Sequence, residues 1–575
     1  MNHWYIFAMF VCLSLRAGAT TLHVDGPGDG DSNGTDDFDS VRAALMALGE
    51  TTGSDGVSDE IRLMVNALTE PVGMFIPGGS TPFAGQQPIN DDITIEGDGD
   101  ADGNPCVLAF TGNLASDELR AHTMILWADG QIVTIRDLSL ILGYFQGKIA
   151  TSLFLAEPRI EIPGMRSGLT LERVILTASL PGNAPVDVES NSGGWSIREF
   201  GGNGMPAAME IHSDAPSAEL VLKMRDCAVA HQGATGLEIC AQRASIEIAG
   251  SRIRNNGYFD SVFLNVGDGL TITIEDTASL SLDHTRVERN YFQGCEISTG
   301  SNNVNSHQIV RVGAGCEFNQ NGSAGLNIGA SNLIAREIVV SGTELEPIAI
   351  MGNGADGFRV TAKQNSTLIV RHIISCQNRT GGVVSPLANS FVDLKNLLIS
   401  ESLRLNLLIA SDITPEPRTI EISDSTFHEL RDTGRTPFAP PEFPTHLGSP
   451  AGQFDEVRIH IELTNCVFSG SSDETTLDLS NGTIDTVTFN QCAVVKQGMH
   501  AIGSLNATGF GVITQNGVIN ADPIYVNTSI PPDSFSFDVR GPEFAEAGPG
   551  GAPLTGWGGF SELPLTMSGV VLRGD

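Results

Sequence analysis

Aromatic, basic and acidic side chains recur beside a repeated amide in the middle of the sequence. Aromatic rings can stack on the faces of sugars, while arginines and carboxylates can make paired hydrogen bonds to them. Stacked repeats would offer such contacts again and again along a polymer. The residues concerned are His231, Arg254, Tyr258, Asp260, Glu288, Arg289, Tyr291, Phe292 and Arg379. The alternative is that the charges only coat exposed turns and the rings pack beneath them.

An acidic loop, Asp98-Gly-Asp100-Ala-Asp102-Gly, suggests a second kind of chemistry. Its spacing brings oxygen atoms around one cation, with glycine at the tight bend, so its three aspartates are candidate metal ligands for Ca²⁺. A similar loop begins at Asp29. Both loops lack the bidentate glutamate at position twelve, where Ala109 stands in the first of them. An ordinary acidic, glycine-rich turn is therefore the alternative.

The amide itself recurs between short apolar runs. In five repeats it stands four positions before a small residue or Asp, at Gln232, Asn256, Asn290, Asn321 and Asn378. The separations are 24, 34, 31 and 57 residues, and the longest divides if Ser341 stands in for an amide. An amide held at one place per repeat predicts stacked turns whose side chains bond to one another in a structural ladder.

A second position repeats ahead of each amide, where a small residue is followed two places later by a larger apolar one. Such a pair shares one face of a strand. Four cysteines occupy the small position, which other repeats fill with Ser or Thr: Cys227, Cys316, Cys466 and Cys492. We predict that these four are small core residues. The disulfide status of the other four cysteines beyond the first 19 residues stays open: Cys106, Cys240, Cys295 and Cys376.

Period-2 strands joined by Asn and Gly turns, with no amphipathic helices between them, define the predicted fold class. It is all-β, a right-handed parallel β-helix with about twelve coils stacked about 4.8 Å apart. One short helix is predicted over 39–48, with Asp39 or Asp37 as its N-cap and Gly49 closing it. This helix would cover the open end of the coils.

The chain divides into four predicted segments. Residues 1–19 are typical of a signal peptide, a short apolar run with a cleavage site at Ala19, so the mature chain is expected to be secreted or at the cell surface. Residues 20–59 form an N-terminal strand and helical cap, 60–515 the β-helix, and 516–575 an irregular C-terminal segment that closes it. Long loops are predicted near 180–208 and 431–454, which lack strand periodicity.

The charge of the chain limits its partners. The formal net charge is −36, whereas nucleic acids and anionic membrane surfaces need a basic footprint. A polyanionic glycan would be repelled on average unless a basic patch or bridging cations intervened. No later stretch is long and apolar enough to cross a bilayer, so we expect no membrane insertion of the mature chain.

The C-terminal stretch contributes specific motifs, Ala521-Asp-Pro-Ile-Tyr-Val and Gly541-Pro-Glu-Phe-Ala-Glu-Ala-Gly. With the leader, the Val24-Asp-Gly opening, the helical cap and the coil repeats, they resemble secreted right-handed β-helix proteins of the pectin-lyase-like superfamily. The resemblance covers nearly the whole mature chain. It implies two enzyme classes: lyases, in which Arg or Lys is the base and a cation such as Ca²⁺ absorbs charge, and glycoside hydrolases with clustered aspartates.

The motifs of those enzymes are not found in the required order. The nearest fragments, Gly267-Asp-Gly269 and Ala355-Asp-Gly-Phe-Arg359, are typical of turns. We therefore predict a secreted scaffold that contacts extracellular polysaccharide or another surface partner without catalysis. Its carbohydrate-binding residues would be His231, Tyr258, Tyr291, Phe292 and Arg379. The alternative is a polysaccharide lyase or glycoside hydrolase with catalytic residues among Arg254, Asp260, Glu288 and Arg289.

Overall fold

The computed structural model describes most of the chain between residues 19 and 516, together with 524–525 and 539–540. The segments within 19–516 that are left out are 27–36, 52–54, 72–73, 78–86, 88, 99–105, 112–121, 128–129, 143, 146–147, 150–151, 157–165, 179–208, 214–218, 231–234, 257–266, 300–307, 330–336, 363–365, 387–388, 401, 403–404, 410–417, 429–444, 448–458, 471–476, 479–483, 497–504 and 507–511. The predicted signal peptide up to residue 18, the loop 180–208 and nearly all of the C-terminal segment therefore lie outside the described residues.

A single α-helix, Val41–Glu50, lies in the described N-terminal part, where a helix was predicted. Its N-cap is Ser40 and not Asp39 or Asp37, because Ser40 has extended backbone and its Oγ accepts the Ala43 N–H at 3.1 Å. The helix also runs through the predicted stop at Gly49 to Glu50, and its C-cap is Thr51, whose N–H bonds to Leu48 O. Its buried face packs on the strands Thr21–Val24 and Asp59–Leu63.

The chain forms two compact units, and the first contains residues 1–233 and 238–245. Its parallel strands stack in three sheets, and Asp37–Phe38 pairs beside the first strand. The first sheet contains Thr21–Val24, Asp59–Leu63, Ile93–Gly97, Ile132–Arg136, Arg166–Glu172 and Glu219–Arg225. The second contains Ala67–Pro71, Cys106–Thr111, Leu138–Leu142, Ile175–Ala178 and Ala228–Ala230. The third contains Met74–Pro77, His122–Trp127, Ser152–Ala156, Met209–Ser213 and part of Leu237–Ala249.

The second unit contains residues 234–237 and 246–575 and repeats the same three sheets. Three long strands bend from one sheet into the next: Leu270–Asp283, Thr367–Cys376 and Phe391–Ser400. The first sheet also contains Gln308–Val312, Glu337–Ser341, Arg418–Ser423, Ile459–Thr464, Ile484–Asn490 and Val512–Asn516. The second also contains Arg252–Arg254, Arg286–Glu288, Glu317–Asn319, Ile348–Met351, Thr426–His428, Val467–Gly470 and Ala493–Lys496. The third also contains Cys295–Thr299, Leu326–Ile328, Asp356–Ala362, Thr380–Pro386, Leu405–Ile409, Thr445–Leu447, Leu477–Asp478 and Leu505–Asn506.

These registers confirm the predicted fold class, an all-β parallel β-helix with one short helix. The described strands make five coils in the first unit and nine in the second, where about twelve were predicted in total. The right hand of the coils stays a prediction. The strand Thr445–Leu447 lies inside the predicted loop 431–454 and pairs with Leu405–Ile409 and Leu477–Asp478. Two small antiparallel pairs, Tyr144–Phe145 with Lys148–Ile149 and Ile524–Tyr525 with Val539–Arg540, complete the described strands.

The core consists of like residues stacked from coil to coil. In the first sheet of the first unit, one inward position is occupied by Ile61, Ile95, Ile135, Leu171 and Met224 in register, all fully or almost fully buried. Alternation along each strand turns the intervening residues to solvent, which is the pattern that the sequence shows. Each coil therefore buries its apolar face on its neighbours and cannot bury it alone.

Outward charges also stack. The residues beside the Ile61 row are Arg62, Glu96, Arg136, Glu172 and Arg225, which alternate in sign along the register. In the best-formed contact, Arg136 Nη2 lies 2.6 Å from Glu96 Oε2, and it is also 3.2 Å from Glu60 Oε1. The hydrogen bond to Glu96 is the main reason that the pKa of Arg136 is raised. Such exposed pairs add modestly to coil pairing.

In several coils, the residue before the second-sheet strand has a small side chain that packs closely in the core. This side chain also donates a hydrogen bond to the backbone. Cys227, Cys316, Cys466 and Cys492 are buried there. Where Ser stands in the same place, Ser251 Oγ donates to Ala249 O at 3.0 Å and Ser425 Oγ to Ser423 O at 2.7 Å. The thiols of Cys227, Cys466 and Cys492 lie 3.2–3.5 Å from the carbonyl two residues back. Cys, Ser and Thr are exchangeable because each is small and can donate this bond.

None of the eight cysteines that the structure describes is in a disulfide. Among the described residues there is also no helix with the length and apolar character needed to cross a membrane.

Candidate functional site

The amides form one ladder in the second unit. Asn256 Nδ2 donates to Asn290 Oδ1 at 3.0 Å, and Asn290 Nδ2 donates to Asn321 Oδ1 at 3.0 Å. The backbone N–H of each asparagine donates to the same oxygen of the next. Each Nδ2 after the first also bonds to a carbonyl in the coil before it, as Asn290 does to Ile253 O at 3.3 Å. A buried amide is satisfied in this way on every side.

The ladder residue between Asn321 and Asn378 is Asn353, and the prediction that placed Ser341 there is wrong. Asn321 Nδ2 donates to Asn353 Oδ1 at 3.0 Å, and Asn353 Nδ2 donates to Asn378 Oδ1 at 2.9 Å. Ser341 ends the first-sheet strand Glu337–Ser341, in register with Arg371, so it lies in a strand and not at the turn. The ladder ends where Asn378 Nδ2 donates to Ser375 Oγ at 2.9 Å.

A row of glycines lies directly beside the ladder: Gly236, Gly269, Gly294, Gly325, Gly357 and Gly381. At each of the first five, an added Cβ would lie 2.6–2.8 Å from the amide nitrogen of the ladder asparagine in the neighbouring coil. This close approach explains the small residue of the repeat. Four positions after Asn256 and Asn378 the sequence has Asp260 and Gly382. The residues that lie beside the ladder in those two coils are instead Gly269 and Gly381, so the fixed spacing of four is wrong there.

Past the ladder, the turns of successive coils stack through their backbones. Phe292 N–H bonds to Gly267 O at 3.1 Å, and Ser323 N–H bonds to Phe292 O at 2.7 Å. The residue that follows each ladder asparagine stands at the outside of this turn: Tyr291, Gly322, Gly354 and Arg379. Tyr291 is 39% exposed, and Arg379 is also exposed. A Cβ at Gly322 would collide with Tyr291 O, and one at Gly354 would collide with Gly322 O, so the close stacking of the turns requires glycine at both positions.

Four outward residues in register follow the glycine row across four coils of the third sheet: Thr271, Glu296, Asn327 and Arg359. Neighbouring coils are about 4.8 Å apart, so the row extends about 14 Å. It combines a hydroxyl, a carboxylate, an amide and a guanidinium. Val383, the next residue in register, is buried and ends the polar row.

Residues of the turns hold this row in place. Asp268 Oδ1 accepts the Gln293 N–H and its Oδ2 accepts the Thr271 hydroxyl, both at 2.9 Å. The Gln293 side chain donates to Glu296 Oε2 at 2.8 Å and accepts from Asn327 Nδ2 at 3.0 Å. Gln293 is largely buried, which makes it the centre of a rigid network.

Further along the row, a turn aspartate again bonds to an outward residue three positions later. Arg359 donates to Asp356 Oδ2 through Nε at 2.9 Å and through Nη2 at 2.6 Å. Asp268 and Asp356 each directly precede a glycine of the row, Gly269 or Gly357. The two turn fragments noted in the sequence are therefore equivalent parts of one surface. We call this surface the polar edge, defined by Asp268, Thr271, Gln293, Glu296, Asn327, Asp356 and Arg359 with the exposed ring of Tyr291.

A buried, unreactive thiol lies beneath the polar edge. Cys295 is fully buried beneath it, and burial is the main reason that the pKa of this thiol is raised well above its usual value. Cys295 therefore stays protonated and is not a nucleophile for a ligand on the edge.

The candidate residues ahead of the ladder lie in a different place. Arg254 is 5% exposed, and its Nη1 lies 3.8 Å from Glu288 Oε1 in the neighbouring second-sheet strand. Arg289 has left-handed backbone, with φ of 56°, and its Nε donates to Gln320 Oε1 at 2.9 Å. The structure brings Arg254 and Glu288 together but gives them little surface. Tyr291, Phe292 and Arg379 lie beyond the ladder, on the side of the polar edge.

Several other candidates lie outside the described residues: His231, Gln232, Tyr258, Asp260, Asp100 and Asp102. Asp98 is exposed at the end of Ile93–Gly97, and its N–H donates to Leu63 O at 2.9 Å. In the described part of the chain, no group of three or more His, Cys, Asp or Glu residues is placed to hold a metal ion.

Sequence reasoning missed Gln293, Glu296, Asn327 and most of the other residues of the edge. One signal was present, because Asn353-Gly-Ala-Asp-Gly357 has the spacing of Asn321-Gly-Ser-Ala-Gly325. Aligning those two segments would have placed Asn327 beside Arg359. Glu296 and Gln293 carry no such signal, since ordinary outward positions on strands and turns also hold Glu and Gln.

Fold and site together define a parallel β-helix protein with an ordered polar edge beside its asparagine ladder. No protein-family model matches the sequence, and no curated protein matches it. Among solved structures, the chain is similar to the Azotobacter vinelandii mannuronan C-5 epimerase AlgE6 A-module, with a TM-score of 0.39 and 13% sequence identity. That similarity covers 84% of this chain and 96% of the other. The fold assignment given above follows from the strand registers of this chain itself.

Proposed function

We propose that this chain is an exported β-helix protein of the pectin-lyase-like type that binds an uncharged polysaccharide along the polar edge, without cleaving it. The observation that supports binding is the register of Thr271, Glu296, Asn327 and Arg359. A polymer that crosses the coils meets one of these groups about every 4.8 Å.

The chemistry of the edge suits sugar hydroxyls. Carboxylates accept hydrogen bonds from hydroxyl groups, guanidinium donates to them, and an exposed ring such as Tyr291 can stack on a sugar face. The edge contains three carboxylates, Asp268, Glu296 and Asp356, against the one guanidinium of Arg359. Together with the net charge of −36, this balance favours an uncharged glycan over a polyanionic one.

The hydrogen bonds within the edge preorganise its acceptors for binding. Asp268 accepts from Gln293 and Thr271, Glu296 accepts from Gln293, and Asp356 accepts from Arg359. Each carboxylate is thus held in one orientation by a neighbour. Preorganised acceptors bind a ligand at a low entropic cost.

Binding can be tested by affinity electrophoresis of the full chain through gels that contain neutral or uronate polysaccharides. We expect retardation by a neutral polymer, and a loss of about tenfold or more in affinity for Arg359→Ala, because a hydrogen bond to a charged group is removed. Arg311→Ala is the matched control, since Arg311 is also exposed and pairs with Glu337 at 3.2 Å on the first sheet. Equal losses for the two variants would place the ligand elsewhere.

Catalysis and export have separate tests. The retained polymer is incubated with the protein, and new reducing ends and the absorbance of unsaturated products are followed. Turnover would refute binding without cleavage and favour the lyase or hydrolase alternative. Export predicts that the protein recovered from the medium of its host begins at Thr20, and recovery of the uncut chain only inside cells would contradict it.

A further inference from the structure

Two thiols meet in neighbouring coils of the second unit. The strands Val467–Gly470 and Ala493–Lys496 pair with Val467 opposite Ala493, so Cys466 and Cys492 directly precede a pair in register. Parallel neighbours in register are about 4.8 Å apart, within the Cα separation that a disulfide requires. Both side chains are fully buried and point into the same small core position.

Both sulfur atoms also reach the backbone of the preceding coil. Cys466 Sγ lies 3.4 Å from Ile422 O, and Cys492 Sγ lies 3.4 Å from Leu463 O, in the coil that contains Cys466. Burial raises the pKa of Cys466. The two thiols thus occupy the same core position of neighbouring coils.

We propose that Cys466 and Cys492 form a disulfide between neighbouring coils when the chain folds in the presence of a disulfide oxidant such as glutathione disulfide. This proposal is independent of the polar edge and of any glycan.

The exchange balances in two steps. The thiolate of one of the two cysteines attacks one sulfur of the oxidant, forming a mixed disulfide and releasing one glutathione thiolate, which takes up the proton. The other cysteine then loses its proton to solvent, attacks the protein sulfur of the mixed disulfide and releases the second glutathione as a thiolate. Two protein thiols are oxidised and one glutathione disulfide is reduced to two thiols. Because both sulfur atoms are buried in the folded chain, the exchange takes place before these coils close.

Cys316 is the internal control for this pair. It occupies the same position in another coil of the same unit, where Thr285 and Ile348 are its neighbours in register. It has no thiol beside it in either adjacent coil at this position. Burial raises the pKa of Cys316 to about 12, so it is also a poor nucleophile.

Peptide mapping gives the direct test. The full chain is unfolded, reduced, refolded with glutathione disulfide, alkylated and digested without reduction. We expect a linked pair of peptides containing Cys466 and Cys492, a loss of two hydrogens in mass, and alkylated Cys316. Alkylation of Cys466 and Cys492, or a link from either of them to a different cysteine, would overturn the proposal.

A stability measurement supports the same test. The oxidised chain should unfold several degrees higher than the chain treated with a phosphine reductant, because the link closes a loop in the unfolded state. The double variant Cys466→Ser, Cys492→Ser should fold, since Ser251 and Ser425 occupy this position in other coils, and should lose the response to reductant. Cys316→Ser should keep it. A response retained by the double variant would assign the effect to other cysteines.

Discussion

Asn353 accepts two hydrogen bonds from Asn321 at a single oxygen, from the backbone N–H at 2.9 Å and from Nδ2 at 3.0 Å. Its own N–H and Nδ2 then bond in the same way to Asn378. These hydrogen bonds hold the turn of each coil against the turn of the next coil. The polar edge begins only two or three residues beyond it, so the ladder positions the site without touching a ligand.

Replacement of Asn353 should destabilise the second unit strongly. Asn353→Ala removes the acceptor of the Asn321 N–H and of one Nδ2 hydrogen of Asn321, all buried. It also removes the side-chain donor to Asn378 Oδ1, which keeps only the backbone N–H of residue 353. We expect a loss of about 3 kcal/mol in the free energy of unfolding, measured by urea titration. Ser341→Ala is the control, because the Ser341 hydroxyl donates to Gly342 O next to it and the substitution should cost less than about 0.5 kcal/mol. Similar losses for the two would refute the assignment of Asn353 to the ladder.

Substitution of two glycines in the same turns should change stability by very different amounts. In Gly325→Ala the new Cβ would lie 2.7 Å from both Asn353 Nδ2 and Gly357 O, so we expect a loss of about 3 kcal/mol. Gly352 has φ of 65°, and the corresponding residues of other coils are Asn255, Gln320 and Gln377 in the same conformation. Gly352→Asn should therefore change stability by less than about 1 kcal/mol. Thermal unfolding of both variants checks this, and a tolerated Gly325→Ala would contradict the close packing of glycine against the ladder.

The features that repeat along the sequence were predictable, and the contacts between side chains of different coils were not. The ladder repeats one residue type at nearly constant spacing, so the stacked turns and the fold class were predictable. Asn353 was predictable as well, because Asn353-Gly-Ala-Asp-Gly357 has the same spacing as the other repeats. The edge depends on Gln293 linking Glu296 to Asn327 across coils, and only the strand register shows that these residues are neighbours. Ser40 became the helix cap because its backbone is extended, which composition does not reveal.

Glu70 should make stability depend on pH. Its buried Oε1 accepts the Val41 N–H at the start of the helix at 2.6 Å, and burial raises its pKa above the ordinary 4.5. Just above pH 4.5 the folded chain retains a proton that the unfolded chain has released. The contribution of Glu70 to stability therefore falls as pH rises from 4.5 through the folded pKa.

Glu70→Gln keeps the hydrogen-bond acceptor and removes the charge. As pH rises from 4.5 through the folded pKa of Glu70, the urea midpoint of the variant should therefore rise relative to that of the natural chain. Urea unfolding at a series of pH values measures the difference. A constant difference between Glu70→Gln and the natural chain would show that Glu70 is not titrating.

His284 should titrate above its ordinary pKa of 6.5. A hydrogen bond to Asp283 is the main cause, and Glu346 adds to it: Nδ1 lies 2.9 Å from Asp283 Oδ2, and Nε2 lies 3.2 Å from Glu346 Oε2. Its stabilising contribution is complete below 6.5 and is lost as pH rises through the folded pKa. Ring-proton shifts in an NMR titration should show a lower pKa in Asp283→Asn and a smaller decrease in Glu346→Gln. An unchanged midpoint in Asp283→Asn would rule out this pairing.

The most direct test of the polar edge is hydrogen–deuterium exchange of the full chain with and without the neutral polysaccharide that retards it in a gel. Binding along the edge predicts slower exchange in 291–297, 326–328 and 356–359, and no change in the first-sheet strands Gln308–Val312 and Glu337–Ser341. Arg359→Ala should abolish that protection at the same polymer concentration, whereas Arg311→Ala should keep it. Protection confined to the first-sheet strands, or equal protection in both variants, would contradict a binding site at the polar edge.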